Sequence, residues 1–260
     1  MALPESSVEI PFVRLHADGR REPTERALAR ETPIAVEFNG FGYAVLMASP
    51  ADLADLAFGF AQAERLIDTA ADVVGVEVHE AANGLALRVW LGPERQAQVL
   101  ERVRHRVSES SCGLCGIENL EQALRPLPQV TAKCRAEDAS IFRALSGIGS
   151  QQELNRRTGA VHAAAACAAD GSVLLVREDV GRHNAFDKLI GAMRRRGLDW
   201  DGGFALLSSR CSFELVEKAV LAGCPLLATI SAATTLALDR AAAAGLALRT
   251  LVRADAMLAS

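Results

Sequence analysis

The sequence predicts an α/β protein: a three-layer α/β/α sandwich in the C-terminal half, preceded by a smaller α+β unit. Three observations lead there. From Val161 onward, short apolar runs alternate with segments of helical periodicity, the pattern of a sheet covered on both faces. In the first third, Asn39-Gly40 and Asn83-Gly84 each separate two apolar runs, a β-hairpin signal. Finally, 50% of the 260 residues are hydrophobic and the net charge is only -4, which excludes a disordered chain and supplies a core without staples.

The elements follow in order. Ile34–Phe38 and Tyr43–Met47 read as the first hairpin, and no element is expected before them. Ser49-Pro50 opens a helix over about 51–66, with Leu53, Leu56, Ala57, Phe60 and Ala63 as its apolar stripe. Val73–His79 and Leu85–Leu91 make the second hairpin, and Glu94–Val107 is an Arg-rich helix. A polar, glycine-bearing loop spans 108–116, and a short helix over 117–124 ends before Pro126 and Pro128, which mark the domain boundary. The chain thus divides into an N-terminal unit (1–111), a loop and linker (112–133) and the sandwich (134–260).

In the sandwich, helices are expected at Asp138–Leu145 and Gln151–Arg157, and strands at Val161–Ala168 and Val173–Val176. Helix Arg182–Arg196, strand Phe204–Leu207, helix Ser212–Ala222, strand Leu226–Ile230, helix Ala232–Ala244 and strand Leu246–Val252 complete it. Ala219–Leu238 carries no charge over twenty positions, but Gly223, Pro225 and four hydroxyl residues split it, so strand and helix fit better than a membrane span. The opening residues lack a signal-peptide pattern, so a cytoplasmic protein is expected. With 32 acidic against 28 basic residues, no nucleic-acid-binding surface is implied.

Six cysteines in such a chain do not read as a disulfide scaffold. Cys167 and Cys224 lie in apolar runs and read as small core residues. Cys112-Gly113-Leu114-Cys115 is different: it could be half a zinc site, a redox dithiol or a sulfur carrier. A second metal-ligand pair is missing, so no metal is expected. The glycines and the preceding serines suit a carrier that must present one sulfur to a donor and then to an acceptor. A helix beginning at Ile117 would favour thiolate at Cys115 and, more weakly, at Cys112.

The string from Glu178 to Lys188 places Gly181, Arg182, His183, Asp187 and Lys188 where a helix leaves a strand. Such junctions bind anions in open α/β sheets, although a capped helix with a His183–Asp187 pair explains the same residues. Ser208-Ser209-Arg210-Cys211-Ser212 repeats the arrangement, with Ser209 or Ser212 as cap. An arginine at a helix N-terminus is unfavourable unless it helps to hold an anion, so Arg210 points to a ligand. Ser231-Ala-Ala-Thr234 reads as a third helix start and a plain cap, and His162, in an apolar run, as a core residue.

Together these motifs resemble the formate dehydrogenase accessory sulfurtransferase family. They comprise Glu31-Thr-Pro-Ile34 with Asn39-Gly40, Leu56-Ala-Phe-Gly-Phe60, Ser111-Cys-Gly-Leu-Cys-Gly116, Thr158-Gly-Ala-Val-His-Ala163, the Glu178–Lys188 string and Ser208-Ser-Arg-x-Ser-x-Glu214. The resemblance implies a cytidine-deaminase-like C-terminal domain, a homodimer, and a sulfur carrier fed by a cysteine desulfurase. It implies that Cys112 bears the persulfide and that Cys115 assists exchange. The acceptor it implies is the molybdenum cofactor, bis-molybdopterin guanine dinucleotide, before insertion into formate dehydrogenase, with GDP able to stand in. Cofactor contacts are implied at Leu251, Val252, Arg253, Ala254, Asp255 and Ala256, and are expected at Arg182, His183, Lys188, Ser209 and Arg210. In that tail Arg253 matches the family pattern, while its flanking aromatic, glycine and second basic residue are absent. A cofactor-binding chaperone that needs no cysteine is the alternative.

Overall fold

The apolar runs close into two sheets and a ribbon. The computed structural model describes residues 3–108 and 125–260. Strands β1 (Ser7–Leu15) and β2 (Arg21–Ala29) pair only with each other, as an antiparallel ribbon that sequence reading leaves unassigned. The reason is physical. Neither face of the ribbon is consistently buried, so no period-two hydrophobic signal is written into it.

The N-terminal unit is a four-stranded sheet in the order β4-β3-β6-β5, where β3 is Thr32–Phe38, β4 Phe41–Ala48, β5 Val73–Ala81 and β6 Gly84–Leu91. Its hairpins match the expected ones, and β3 and β6 join them in parallel. Alternation does the rest: Ile34, Val36 and Phe38 with Leu85, Leu87 and Val89 face inward, onto helix α1 (Leu53–Ala63). Helix α2 (Gln96–Ser108) follows, and its Val99 joins the same core.

The second unit carries a six-stranded sheet in the order β12-β11-β10-β9-β7-β8. Its strands are β7 (His162–Cys167), β8 (Val173–Asp179), β9 (Phe204–Leu207), β10 (Leu226–Thr229), β11 (Ala247–Thr250) and β12 (Leu258–Ala259). Strands β9, β10 and β11 run parallel, and β7 is antiparallel to both β8 and β9. Helix α3 (Asp138–Gln151) covers one face through Ile141, Ala144 and Ile148. Helices α5 (Arg182–Arg196), α6 (Phe213–Leu221) and α7 (Thr235–Ala244) cover the other. A short α4 (Glu153–Thr158) leads from α3 into β7 and touches the ribbon, where Arg26 donates to the Thr158 carbonyl at 3.0 Å.

The charge-free run Ala219–Leu238 resolves into the end of α6, strand β10 and the start of α7. Among the described residues no helix is long and apolar enough to cross a membrane. The described residues between 125 and 136 lie along the second unit: Val130 N–H donates to Ala244 O at 2.9 Å and Arg135 N–H to Gly202 O at 2.7 Å.

The units meet where α1 crosses α5, and the crossing is made by glycines. A Cβ on Gly59 would lie 1.8 Å from the Asp187 carbonyl oxygen, and one on Gly191 1.8 Å from that of Asp55. Backbone meets backbone there, which allows no side chain at either position. Around the contact, Asp55 takes Arg177 at 2.8 Å and also Arg195, while Gln62 donates to Leu221 O at 2.7 Å. Gly59→Ala is therefore expected to destabilise the protein by at least ~1–3 kcal/mol, the usual penalty for forcing a methyl group into a packed contact. A lowered urea midpoint checks this, and an unchanged one would contradict the crossing.

Candidate anion-binding edge

Because β8 and β9 both run antiparallel to β7, the C-terminal ends of β8, β9, β10 and β11 share one edge of the sheet with the N-terminal end of β7. That edge gathers His162 from β7, Arg182 and His183 after β8, Ser208–Ser212 after β9, Ser231–Thr234 after β10, and Leu251–Arg253 after β11. Backbone bonds tie these turns together. Ser231 N–H donates to Ser209 O at 3.2 Å, Leu251 N–H to Ser231 O at 3.2 Å, and Cys211 N–H to Ala232 O at 3.1 Å.

The turn between β8 and α5 is organised from beneath by Asp179. Its carboxylate is wholly buried and accepts four hydrogen bonds. Oδ1 takes Gly181 N–H at 2.8 Å and Asn184 Nδ2 at 3.1 Å. Oδ2 takes Lys188 Nζ at 2.6 Å and Ser49 N–H at 3.0 Å. Lys188 thus departs from expectation. It is fully buried and committed to Asp179 and the Ser49 carbonyl, so it holds the turn from below and does not reach toward a ligand.

Above the turn the charges are unbalanced. Arg182 Nε is buried and has no hydrogen-bond partner. A buried, unpaired guanidinium nitrogen is costly, and an anion is its natural complement. Two histidines flank this arginine, and both are held neutral. Burial, then Arg182, then Lys218 push His183 down to about 4. Burial first and Arg182 second lower His162 as well. His162 is half-buried at this edge, not absorbed into the core as its apolar surroundings suggest. The overlooked signal was its place at the first residue of a strand, where a side chain meets the edge.

The serines also differ from expectation. Neither α5 nor α6 is capped by a side chain, which leaves their first amide N–H groups to other acceptors. Ser212 Oγ instead faces His183 Nε2 at 3.4 Å, with Glu214 at 3.8 Å from the same nitrogen. Ser209 is buried, and its hydroxyl donates to the Arg210 carbonyl at 3.1 Å. Of these helices only α7 has a side-chain cap, Thr234 Oγ1 accepting from Ala237 N–H at 3.3 Å, and it begins at Thr235, three residues after the expected Ala232. Asp187 pairs not with His183 but with Lys218, at 2.7 and 2.8 Å, and burial raises its carboxyl. That pair lines a cavity of about 250 Å³ between the units, beside Leu46, Phe60, His183 and Glu214.

Arg210 is exposed, with no ion pair among the described residues. In the tail, Val252 is buried with its N–H on Thr229 O at 3.1 Å, and the Arg253 guanidinium bonds the Ile230 carbonyl. Ala254, Asp255 and Ala256 are exposed beside them, and Leu251 takes a left-handed φ of 51° that turns the chain over the edge. Cys112 and Cys115 lie outside the described residues. Burial pushes the thiols of Cys167, Cys211 and Cys224 up to about 12, so none of these three is a thiolate at neutral pH.

Fold and edge define an α/β protein whose strand ends gather an unpaired Arg182 and helix N-termini without side-chain caps. The chain belongs to the FdhD/NarQ family, whose model matches residues 29–259. It is 44% identical over 236 residues to the sulfur carrier protein FdhD of Xanthomonas euvesicatoria pv. vesicatoria, covering 91% of this chain and 84% of that one. The sulfur carrier protein FdhD of Variovorax paradoxus is 44% identical over 228 residues, covering 88% and 82%. A crystal structure from Desulfotalea psychrophila, designated a formate dehydrogenase accessory protein, superposes with a TM-score of 0.76 at 21% identity, covering 98% of this chain and 96% of that one.

The buried His183 sets a pH dependence. Its folded value is about 4 against an ordinary 6.5, so between these values the unfolded chain binds a proton that the folded chain refuses. Its contribution to stability is complete above pH 6.5 and is lost as pH falls toward 4. Urea midpoints of wild type and His183→Gln should therefore converge on going from pH 7 to pH 4.5. A difference constant across that range would refute a neutral, buried His183.

Proposed function

We propose that this chain is a sulfur carrier. It accepts sulfur from a cysteine desulfurase as a persulfide on Cys112 and passes it to the molybdenum cofactor destined for formate dehydrogenase. The observation that carries the reading is the unpaired Arg182 guanidinium, set among uncapped helix N-termini at one sheet edge. That is the chemistry a pyrophosphate requires. Family membership and the relatives' designation as sulfur carrier proteins support the sulfur half.

On this reading the edge holds the guanine dinucleotide portion of the bis-molybdopterin guanine dinucleotide, which is cargo here. Arg182 and the amides of α5 and α6 take phosphate oxygens. Arg210, Arg253 and the Leu251–Ala256 turn border them, and neutral His183 and His162 offer hydrogen bonds without adding charge. The carrier step needs a thiolate. Cys112 sulfur attacks the outer sulfur of the desulfurase persulfide, the donor's S–S bond breaks, and the donor cysteine leaves as thiolate. Cys112 keeps the sulfur as its own persulfide, and Cys115 assists exchange. The three buried thiols, pushed up to about 12, are unsuited to this work, and the family resemblance assigns it to Cys112 and Cys115. A homodimer, a cytoplasmic location and a cytidine-deaminase-like ancestry for the second unit belong to the same reading, the last supported by its helix–sheet–helix layering.

Intact-mass analysis under non-reducing conditions tests it, after incubation with a cysteine desulfurase and free cysteine. A thiol-reversible gain of one sulfur that maps to Cys112 and vanishes in Cys112→Ala is the expected result. No gain with an active desulfurase would overturn the carrier and leave a cofactor chaperone. Separately, Arg182→Gln should weaken GDP binding by roughly tenfold or more in calorimetry, the scale of a lost charge-assisted hydrogen bond. Unchanged affinity would remove Arg182 from the site.

A further inference from the structure

We propose that Ser49, a residue of the four-stranded unit, is a positioning residue for the anion-binding turn of the other unit, so that the two units make one site through it. The proposal rests on reading the Arg182 edge as the anion site. Ser49 sits between β4 and α1 and is wholly buried. All three of its polar atoms are directed at one short stretch of the other unit. Its N–H donates to Asp179 Oδ2 at 3.0 Å, its Oγ accepts from Val180 N–H at 3.2 Å, and its carbonyl accepts from Lys188 Nζ at 2.9 Å.

Those partners bracket Gly181, Arg182 and His183. Asp179 ends β8, Val180 opens the turn, and Lys188 lies in the second turn of α5. A buried serine that served packing alone needs one partner for its hydroxyl, whereas this one has its backbone and side chain committed to a single turn. The neighbouring residue strengthens the post, because Asn184 Nδ2 donates to the Met47 carbonyl at 2.8 Å. The direction in which Arg182 points therefore depends on a strand end more than 130 positions away in sequence. The turn is closely packed from its own side as well, since a Cβ on Gly181 would lie 2.8 Å from Asn184 Nδ2.

Ser49→Ala removes the acceptor for Val180 N–H and leaves the rest of the post. In the full chain we expect pyrophosphate affinity, measured by calorimetry, to fall roughly fivefold, the scale of one buried hydrogen bond. The NMR titration midpoint of His183 should move with it. Val36→Ala, in the core of the same unit, is the control: it should lower the melting temperature and leave affinity and midpoint alone. If Ser49→Ala fails to fold, Ser49→Cys, of similar size and a poorer acceptor, makes the same comparison. A folded Ser49 variant with a lower melting temperature, wild-type affinity and an unmoved His183 would reduce Ser49 to a structural residue and overturn the proposal. Absence of pyrophosphate binding in the wild type would instead defeat the anion-site reading, and the His183 midpoint would still decide for or against Ser49.

Discussion

The ion pair between Asp179 and Lys188 is the constraint on which the rest of the structure hangs. Both side chains are fully buried, 2.6 Å apart. Two charges removed from water are tolerated only when their remaining bonding capacity is filled, and losing one partner leaves an orphan worth about 3–5 kcal/mol. Here the filling comes from both units: Ser49 on one side, Gly181 and Asn184 on the other. The pair therefore does not merely stabilise a helix. It ties the end of β4 to the turn that begins α5, and Arg182 and His183 inherit their positions from that turn.

The electrostatics above the knot follow from what lies below it. Asp179 spends its charge on Lys188 and on three further donors, so little of it is left for Arg182. Burial keeps His162 and His183 uncharged, which spares a half-dry site a second and third positive charge beside Arg182. The edge presents the half-buried Arg182 with its buried Nε, the exposed Arg210 and Arg253, hydrogen-bonding groups without formal charge, and helix ends without side-chain caps. On the proposed reading such a surface would hold an anion by complementary dipoles, with less dependence on bulk salt than a patch of exposed lysines.

Much of this was legible in the sequence. The Asn-Gly hairpins, the stripe of α1 and the alternation after Val161 are periodic features, and the structure bears them out. The Glu178–Lys188 string announced a strand-to-helix turn, and Arg182 and His183 stand there. Period and spacing cannot tell which side of a helix a charged residue ends on when the whole helix is enclosed, so Lys188 was read as facing out. Serines before a helix look like caps whatever they do, and Ser212 turns to His183 instead. His162 looked like core because its neighbours are alanines, and only the strand order brings its end of β7 beside Arg182. Ser49 had no signal beyond preceding a proline; its partners are supplied by tertiary contact alone. The ribbon β1–β2 escaped because it encloses nothing.

The glycine crossing of α1 over α5 bears on how the protein could be taken apart. Separated from α1, helix α5 would expose a shallow trough floored by Gly191, with the Asp187 carbonyl left to water. Facing it, the detached N-terminal unit would bare Asp55, Gln62 and the buried end of β4. Parting the units would therefore cost both of them buried polar contacts, so their unfolding is expected to be coupled.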